Sequence, residues 1–227
     1  MPHSEAGIRL VLFDLDGTFA DTAPDMAYAL NQTLLRHGRD PLTLETIRPH
    51  VSHGGIALIR LGFNLEPEHP DFPALRQQFL DHYRANLTRG TRLFPGIEEL
   101  IGRLEALGIG WGIVTNKPGW LTNPLLEQLQ ITPRAVCVVS GDTTARAKPH
   151  PEPIFHACTL AGTNPENTLY VGDAERDIIA GKCAGTRTLT ALFGYIGEDD
   201  KPERWQADGG ISHPLELLDW LELPVHG

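Results

Sequence analysis

The chain contains few cysteines and few basic residues, and each shortage argues against a class of function. Its three cysteines, Cys137, Cys158 and Cys183, are far apart, and no Cys-x-x-Cys pair occurs. Their odd number and wide spacing predict free thiols in a reducing compartment, not a disulfide framework or a zinc site. Lys plus Arg number 19 against 29 Asp plus Glu, a formal charge of −10. That balance argues against nucleic acid and anionic membranes as main partners, because both require a basic surface.

The sequence also lacks long apolar runs, internal repeats and low-complexity tracts. No stretch is long enough to cross a bilayer. The first apolar run, from Ile8, contains Arg9 and ends at Asp14, so it is shorter than the apolar region of a secretory signal. We therefore expect a cytoplasmic protein. With 227 residues, 41% of them apolar, the chain can bury the core of one large domain or of one domain with a smaller insert.

Short apolar runs alternate with amphipathic helical patterns through the second half of the chain. Strands are predicted at 109–114, 135–139, 168–171 and 188–192, and helices at 97–107, 118–129, 151–161, 176–184 and 213–221. Residues 194–210, rich in Gly and Asp, are predicted to form a surface loop. The alternation favours an α/β fold, a Rossmann-like parallel sheet covered by helices on both faces.

Residues 22–91 differ, because they show helical periodicity without a convincing strand. The helical patterns cover 23–37, 42–49, 55–61 and 72–86. A helical block between the first strand and the next βα unit predicts an inserted lid, with hinges near 20–22 and 92–94. The predicted domains are therefore a Rossmann-like core of residues 1–21 and 92–227 and a helical cap of residues 22–91.

Two aspartates follow the first apolar run, in the segment Val11-Leu12-Phe13-Asp14-Leu15-Asp16-Gly17-Thr18. Side chains alternate along a strand, so Asp14 and Asp16 can project the same way if the extended conformation persists. Like charges that close together are costly unless a cation or a proton lies between them. The alternative is a plain turn, since Asp and Gly both favour turns. The site interpretation predicts an acidic centre at the carboxyl end of a strand, where open α/β sheets bind ligands.

Three more polar groups follow later strands. Thr115-Asn116 offers a hydroxyl and an amide for phosphate oxygens, Lys148 lies in a loop fixed by prolines, and Asp173 and Asp177 form a second carboxylate pair. Each has an ordinary alternative: a helix cap for Thr115-Asn116, a solvated lysine, and acidic residues of a helix first turn. Together, in this chain order and at one sheet edge, they predict a single site.

These four motifs, Asp14-Leu15-Asp16-Gly17-Thr18, Thr115-Asn116, Lys148-Pro149 and Gly172-Asp173 with Asp177, resemble in order those of the haloacid dehalogenase superfamily. The resemblance covers nearly the whole chain. The helical insert resembles the C1-type α-helical cap of the subfamily that contains phosphoglycolate phosphatases. Phe19 stands where that family usually has Leu, a change that we expect to alter packing and not chemistry.

The resemblance implies a Mg²⁺-dependent phosphomonoester hydrolase that acts through an aspartyl-phosphate. Asp14 would be the nucleophile and Asp16 the general acid and base. The implied Mg²⁺ ligands are the Asp14 side chain, the Asp16 backbone carbonyl and Asp173, with Asp177 orienting a metal-bound water. Thr115, Asn116 and Lys148 would bind the phosphoryl oxygens.

The cap is expected to select the substrate, a small phosphorylated metabolite. Candidate contacts are Arg48, Ser52, His53 and Gly54. The resemblance implies phosphoglycolate as the first candidate substrate. N-acetylmuramic acid 6-phosphate or another sugar phosphate is the alternative, since parts of the chain also resemble the branch that dephosphorylates the amino sugar. Two further alternatives are a sugar phosphomutase and a non-catalytic signalling module phosphorylated on aspartate, although Asp16 and the helical insert argue against the module. The sequence does not indicate an oligomeric state.

Overall fold

A computed structural model describes residues 7–221 and has a parallel sheet at its centre; the ends of the predicted core, residues 1–6 and 222–227, lie outside the described residues. The six strands of this sheet, in chain order, are β1 (Leu10–Phe13), β4 (Gly110–Val114), β5 (Cys137–Val139), β6 (Thr168–Gly172), β7 (Arg187–Ala191) and β8 (Gly209–Ile211). Their order across the sheet is β5-β4-β1-β6-β7-β8. All pairings are parallel, which confirms the predicted α/β fold.

Strand β1 lies in the middle of the sheet and its side chains alternate between two apolar layers. Val11 and Phe13 belong to the larger core cluster, and Leu10 and Leu12 to the smaller one. The helices of the parallel-sheet half are α5 (Ile97–Ala106), α6 (Gly119–Gln128), α7 (Glu152–Ala161) and α8 (Glu175–Ala184). Helices α5 and α6 contribute side chains to the larger cluster, and α7 and α8 contribute side chains to the smaller one. Both faces of the sheet are therefore buried, which explains why its strands are almost continuously apolar.

Residues 22–91 form a helical segment. Its elements are α1 (Ala23–Arg36), α2 (Leu44–Ile47), a 3₁₀ helix (Arg48–His53), α3 (Gly54–Phe63) and α4 (Phe72–Arg84). Helix α1 packs along α4, and the apolar side chains of both join the larger core cluster. The predicted helix over 42–49 is split, because Pro49 has no N–H to continue an α-helical ladder and the chain tightens to 3₁₀ geometry there.

The two crossings between this segment and the rest of the chain are paired with each other. Strands β2 (Ala20–Asp21) and β3 (Arg92–Leu93) form a short antiparallel pair at the positions where hinges are predicted. The buried carboxylate of Asp25 adds three hydrogen bonds, accepting from the backbone N–H groups of Gly90 and Thr91 and from the Thr91 hydroxyl. The division into a core and a cap at these crossings stays a prediction.

The stretch 194–210 is more ordered than its composition predicts. Tyr195 and Trp205 are buried within it, and β8 begins at Gly209. The sequence pattern does not predict this strand, because strand prediction depends on β-branched and aromatic residues and two of the three residues of β8 are glycines. The predicted terminal helix is a 3₁₀ helix, Pro214–Trp220. Phe19 stacks on Trp111 with ring centroids 5.5 Å apart and tilts against Phe13, so it fills the core beside β1. Among residues 7–221, no helix is both long and apolar enough to cross a bilayer.

Candidate active site

Lys148 is the centre of a buried polar cluster at the carboxyl edge of the sheet. Its ammonium lies 2.9 Å from Asp14 Oδ1 and 2.8 Å from Asp177 Oδ1. It also donates to the Val114 carbonyl and to the Tyr170 hydroxyl, at 2.8 and 2.7 Å. The side chain is completely buried, so each of these contacts is strong and none competes with water. The first, third and fourth sequence motifs therefore meet at one ammonium group.

Asn116 of the second motif fixes the loop that carries Lys148. Its Nδ2 donates to the Lys148 carbonyl at 2.8 Å, and its Oδ1 accepts from the Lys148 backbone N–H at 3.0 Å. The Asn116 side chain is thus engaged with the backbone, and its predicted contact with phosphate stays a prediction. Thr115 is buried at the end of β4, and its Oγ1 accepts from the Lys117 N–H at 3.1 Å. The proton of this hydroxyl can be donated to a ligand oxygen.

Three buried carboxylates form a group that suits a metal ion. One oxygen from each of Asp14, Asp173 and Asp177 lies within 4.8 Å of the others. Burial, followed by the charges of Asp14 and Asp177, raises the pKa of Asp173 to about 7. Burial also raises the pKa of Asp177, although Lys148 opposes the shift. Clustered carboxylates are unfavourable without a cation, and an all-oxygen donor set fits a hard divalent ion such as Mg²⁺.

Asp173 is held by donors from three parts of the chain. Its Oδ1 accepts from the Thr18 hydroxyl at 3.2 Å, and its Oδ2 accepts from Ser52 Oγ at 2.7 Å and from the Tyr195 N–H at 3.0 Å. Gly17 has a φ of +88°, and a Cβ at this position would collide with the Asp173 carboxylate. The glycine of the first motif therefore lets the backbone approach a carboxylate of the fourth.

Asp16 is outside the three-carboxylate group and has its own partners. Both of its oxygens contact Lys117 Nζ, at 2.8 and 2.9 Å, and the Thr22 hydroxyl donates to its Oδ1. Burial lowers the pKa of Lys117, but Asp16 and Tyr83 outweigh that effect, so the ammonium is firmly protonated. The sequence interpretation missed Lys117, although one signal was present: it is one of only four lysines and directly follows Thr115-Asn116.

Arg176 and Tyr195 are two further residues that sequence reasoning missed. Arg176 donates to the Ser52 carbonyl at 2.7 Å, and Asp177, Asp14 and Asp173 raise its pKa against the effect of burial. The Tyr195 hydroxyl donates to Asp21 at 2.7 Å, while its backbone N–H holds Asp173. Arg176 lies between Asp173 and Asp177 of the fourth motif, and this position is a sequence signal for it. Tyr195 lies in the predicted loop 194–210, where no local pattern indicates a role for it.

The predicted cap residues occupy two different places. Ser52, His53 and Gly54 line the cavity above the polar cluster. Arg48 does not line it; its guanidinium pairs with Asp21 at 2.8 Å and lies 5.3 Å from the centre of the Tyr195 ring. Arg48 therefore stabilises the chain where it crosses between the sheet and the helical segment. Any contact between the four cap residues and a substrate stays a prediction.

The cavity between the helical segment and the sheet edge has a volume of about 610 Å³. The sheet edge contributes acidic, hydroxyl and basic groups, and helices α3 and α4 contribute apolar and aromatic groups together with Arg76 and Gln77. The polar floor of the cavity includes Asp14, Asp16, Thr115, Asn116, Lys117 and Arg176, and its opposite wall includes Ile56, Arg76, Phe79, Leu80 and Tyr83. A concave space with a few convergent polar groups is typical of a site for a small molecule.

Comparisons with known proteins agree with this geometry. The family model for haloacid dehalogenase-like hydrolases matches residues 11–191. The chain is 39% identical over 215 residues to an N-acetylmuramic acid 6-phosphate phosphatase of Pseudomonas aeruginosa, covering 95% of each chain. It is 43% identical over 214 residues to a phosphoglycolate phosphatase of Xanthomonas campestris pv. campestris, covering 93% of this chain and 95% of the relative. Among solved structures, a predicted phosphoglycolate phosphatase from Haemophilus somnus is similar, with a TM-score of 0.84, 26% identity, and coverage of 96% of this chain and 99% of that one.

Proposed function

The chain belongs to the haloacid dehalogenase-like hydrolase family and is a phosphatase, and on that premise we propose that it hydrolyses a phosphorylated amino sugar through a covalent aspartyl-phosphate. The reaction is supported by the contacts of Lys148 with Asp14 of the first motif and Asp177 of the fourth, and by the hydrogen bonds of its backbone with Asn116 of the second. The substrate class is supported by the 610 Å³ cavity above them. Residues 22–91 would act as the cap that encloses the substrate against the core.

Asp14 is the proposed nucleophile. Lys148 holds its Oδ1 at 2.9 Å, and we assign the other carboxylate oxygen to in-line attack on phosphorus. A carboxylate is a weak nucleophile towards a dianionic ester, so positive charge must offset the repulsion between them. Lys148 supplies part of that charge, and the Thr115 hydroxyl and Asn116 border the same space and are the proposed contacts for the phosphoryl oxygens.

Asp16 is the proposed general acid and base. It would protonate the leaving alcohol oxygen as the aspartyl-phosphate forms, and then take a proton from the water that hydrolyses this intermediate. Its carboxylate is separate from the metal-binding group but lines the same cavity, so it can reach the leaving-group side of the substrate. Thr22 and Lys117 fix its orientation, which matters because a general acid must lie within hydrogen-bond reach of the oxygen it protonates.

Mg²⁺ is the proposed cofactor. The residues that would hold it are Asp14, Asp173 and the Asp16 backbone carbonyl, with Asp177 orienting a bound water. The buried three-carboxylate group supports this assignment, because its mutual repulsion calls for a cation. When bound, the ion would neutralise charge on the phosphoryl oxygens and bring them to the nucleophile. A cytoplasmic location stays a prediction that is supported by the free cysteines.

The size of the cavity favours an amino-sugar phosphate such as N-acetylmuramic acid 6-phosphate over a two-carbon ester. Phosphoglycolate would fill only the polar floor and leave the wall formed by α3 and α4 without contact. A hexose with bulky substituents would cover Ile56 and Leu80, and burying that apolar surface would contribute to binding. Phosphoglycolate is the second candidate, because the Xanthomonas relative at 43% identity is named a phosphoglycolate phosphatase.

A panel assay of phosphate release tests the proposal. Purified protein is given N-acetylmuramic acid 6-phosphate, glucose 6-phosphate, phosphoglycolate and phenyl phosphate, with Mg²⁺ or with EDTA. We expect the highest kcat/KM for the amino sugar, and loss of turnover in EDTA that Mg²⁺ restores, because kcat/KM measures discrimination between substrates. A higher kcat/KM for phosphoglycolate would favour the second candidate. Formation of an isomeric sugar phosphate in place of inorganic phosphate would indicate a mutase.

A further inference from the structure

Tyr83 carries a buried hydroxyl that the proposed chemistry does not use. The residue lies in the last turn of α4, is only 1% exposed and lines the cavity. Within residues 7–221, no group accepts a hydrogen bond from its hydroxyl, and the polar group beside it, the Lys117 ammonium, can only donate. A buried hydroxyl whose proton has no acceptor is unfavourable in the free protein, so such a group calls for an explanation.

The surroundings of Tyr83 place it beside the general acid and base. Lys117 Nζ lies 4.7 Å from the centre of the Tyr83 ring and also contacts both oxygens of Asp16. The order across the interface is therefore Tyr83 from the helical segment, Lys117 from the sheet edge, and then Asp16. Lys148 and the metal-binding carboxylates lie on the side of Asp14 instead.

This order puts Tyr83 on the leaving-group side of the substrate. In the proposed reaction the phosphoryl group faces Asp14, Thr115 and Lys148, whereas the alcohol oxygen that departs faces Asp16. The atoms next to that oxygen must therefore pass close to Lys117 and Tyr83. Burial raises the pKa of Tyr83 to about 12, so the phenol is protonated at neutral pH and is available to donate.

We propose that Tyr83 determines specificity by donating a hydrogen bond to an oxygen atom of the substrate's alcohol portion. The acceptor would be a ring, hydroxyl, carbonyl or carboxylate oxygen near the scissile ester, as in sugar phosphates and their acidic derivatives. This inference rests on the proposed function. A site that offers a buried donor rejects substrates that lack the matching acceptor, because the donor then stays unpaired.

The experiment compares wild type with Tyr83→Phe on two esters. One is the best substrate in the panel among the oxygen-bearing esters, and the other is phenyl phosphate, whose alcohol portion has no oxygen besides the scissile one. The variant keeps the ring that covers Lys117 and deletes only the hydroxyl. We expect kcat/KM for the oxygen-bearing ester to fall roughly tenfold, mostly through KM, and kcat/KM for phenyl phosphate to stay within about twofold.

Thermal stability separates a specificity role from a structural one. Because the proton of this hydroxyl has no acceptor within the described residues, Tyr83→Phe should leave Tm unchanged or raise it. Tyr28→Phe is the matched control: it removes a hydroxyl from a half-buried ring of α1 that does not line the cavity, and it should change neither ester's kinetics.

The outcomes are distinguishable. An equal change of kcat/KM for both esters, or no change for either, would overturn the inference while wild-type turnover still supports the proposed function. A clear drop in the Tm of Tyr83→Phe would also overturn it, since the hydroxyl would then have an acceptor for its proton within the protein. If wild type releases no phosphate from any ester with Mg²⁺ present, the proposed function fails and this inference fails with it.

Discussion

The sheet edge and the helical segment above it contribute to the same cavity but hold their side chains in different ways. At the sheet edge, the Lys148 side chain is 0% exposed and contacts two carboxylates, a carbonyl and a phenol. In the helical segment, the Arg48 side chain is 34% exposed and pairs with one carboxylate. Ser52 reaches the sheet edge through one hydroxyl and one carbonyl.

From this difference we infer that the sheet edge holds the groups for catalysis and the helical segment holds the groups for substrate recognition. Groups that must stabilise charge at phosphorus are more effective when they are fixed before the substrate arrives, and the buried network around Lys148 fixes them. The groups proposed to select the alcohol portion belong to a segment that two crossings join to the sheet, and separation of the two parts would admit the substrate. Mutations at the sheet edge should therefore abolish turnover or stability, and mutations in the helical segment should alter selectivity.

The largest expected effect on activity is that of Asp14→Asn. The change is nearly isosteric but removes the proposed nucleophile, so kcat should fall by a factor on the order of 10⁴ or more. The free energy of unfolding without metal should be unchanged or higher. One of the three clustered carboxylates loses its charge, while Lys148 keeps its ion pair with Asp177. Steady-state kinetics and urea unfolding measure both quantities, with Asp40→Asn in an exposed loop as control. Substantial residual turnover would exclude Asp14 as the nucleophile.

Lys148→Met should be the most destabilising change at the sheet edge. It removes the cation between Asp14 and Asp177 and leaves their charges buried without compensation. Breaking a buried ion pair by removing one partner costs about 3–5 kcal/mol, and urea unfolding should show a loss of that size. Mg²⁺ should recover part of the loss, since it would supply positive charge to the same carboxylates. The matched control is the exposed Lys201→Met, for which we expect a change within about 0.5 kcal/mol. Equal stabilities for the two variants would contradict the view that the network supports the fold.

The same difference explains what the sequence predicts well. The parallel sheet and its polar edge are encoded in short contiguous segments, each an apolar strand followed at once by its functional side chains. Asp14, Thr115 and Asp173 each occupy such a position, and sheet topology brings them together. The position of Lys148 is harder to predict, because it does not directly follow a strand: its loop leaves β5 and returns to the site. Its neighbouring prolines and the small number of lysines in the chain nevertheless indicate a site residue.

Pairs that cross between the two regions were not predictable from local patterns. Lys117 meets Tyr83, and Arg176 meets Ser52, only because the helical segment lies over the sheet edge. Their sequence separations carry no periodicity, and each residue alone has an ordinary alternative as a solvated charge or a core ring. Arg48 is the converse case: its type predicts a substrate contact, which stays a prediction, while its pairing with Asp21 at the crossing was not predicted from the sequence.

The smallest expected effect is that of Ser52→Ala. This variant tests the contact between the helical segment and the sheet edge. The variant loses the hydroxyl bond to Asp173 but keeps the backbone carbonyl that accepts from Arg176. Because one hydrogen bond contributes about 1 kcal/mol, kcat/KM should fall about fivefold and amide exchange of residues 48–56 should speed up by a similar factor. The exposed Ser212→Ala is the matched control and should change neither quantity. Unchanged exchange in Ser52→Ala would mean that apolar packing, and not this hydrogen bond, keeps the helical segment closed over the sheet edge.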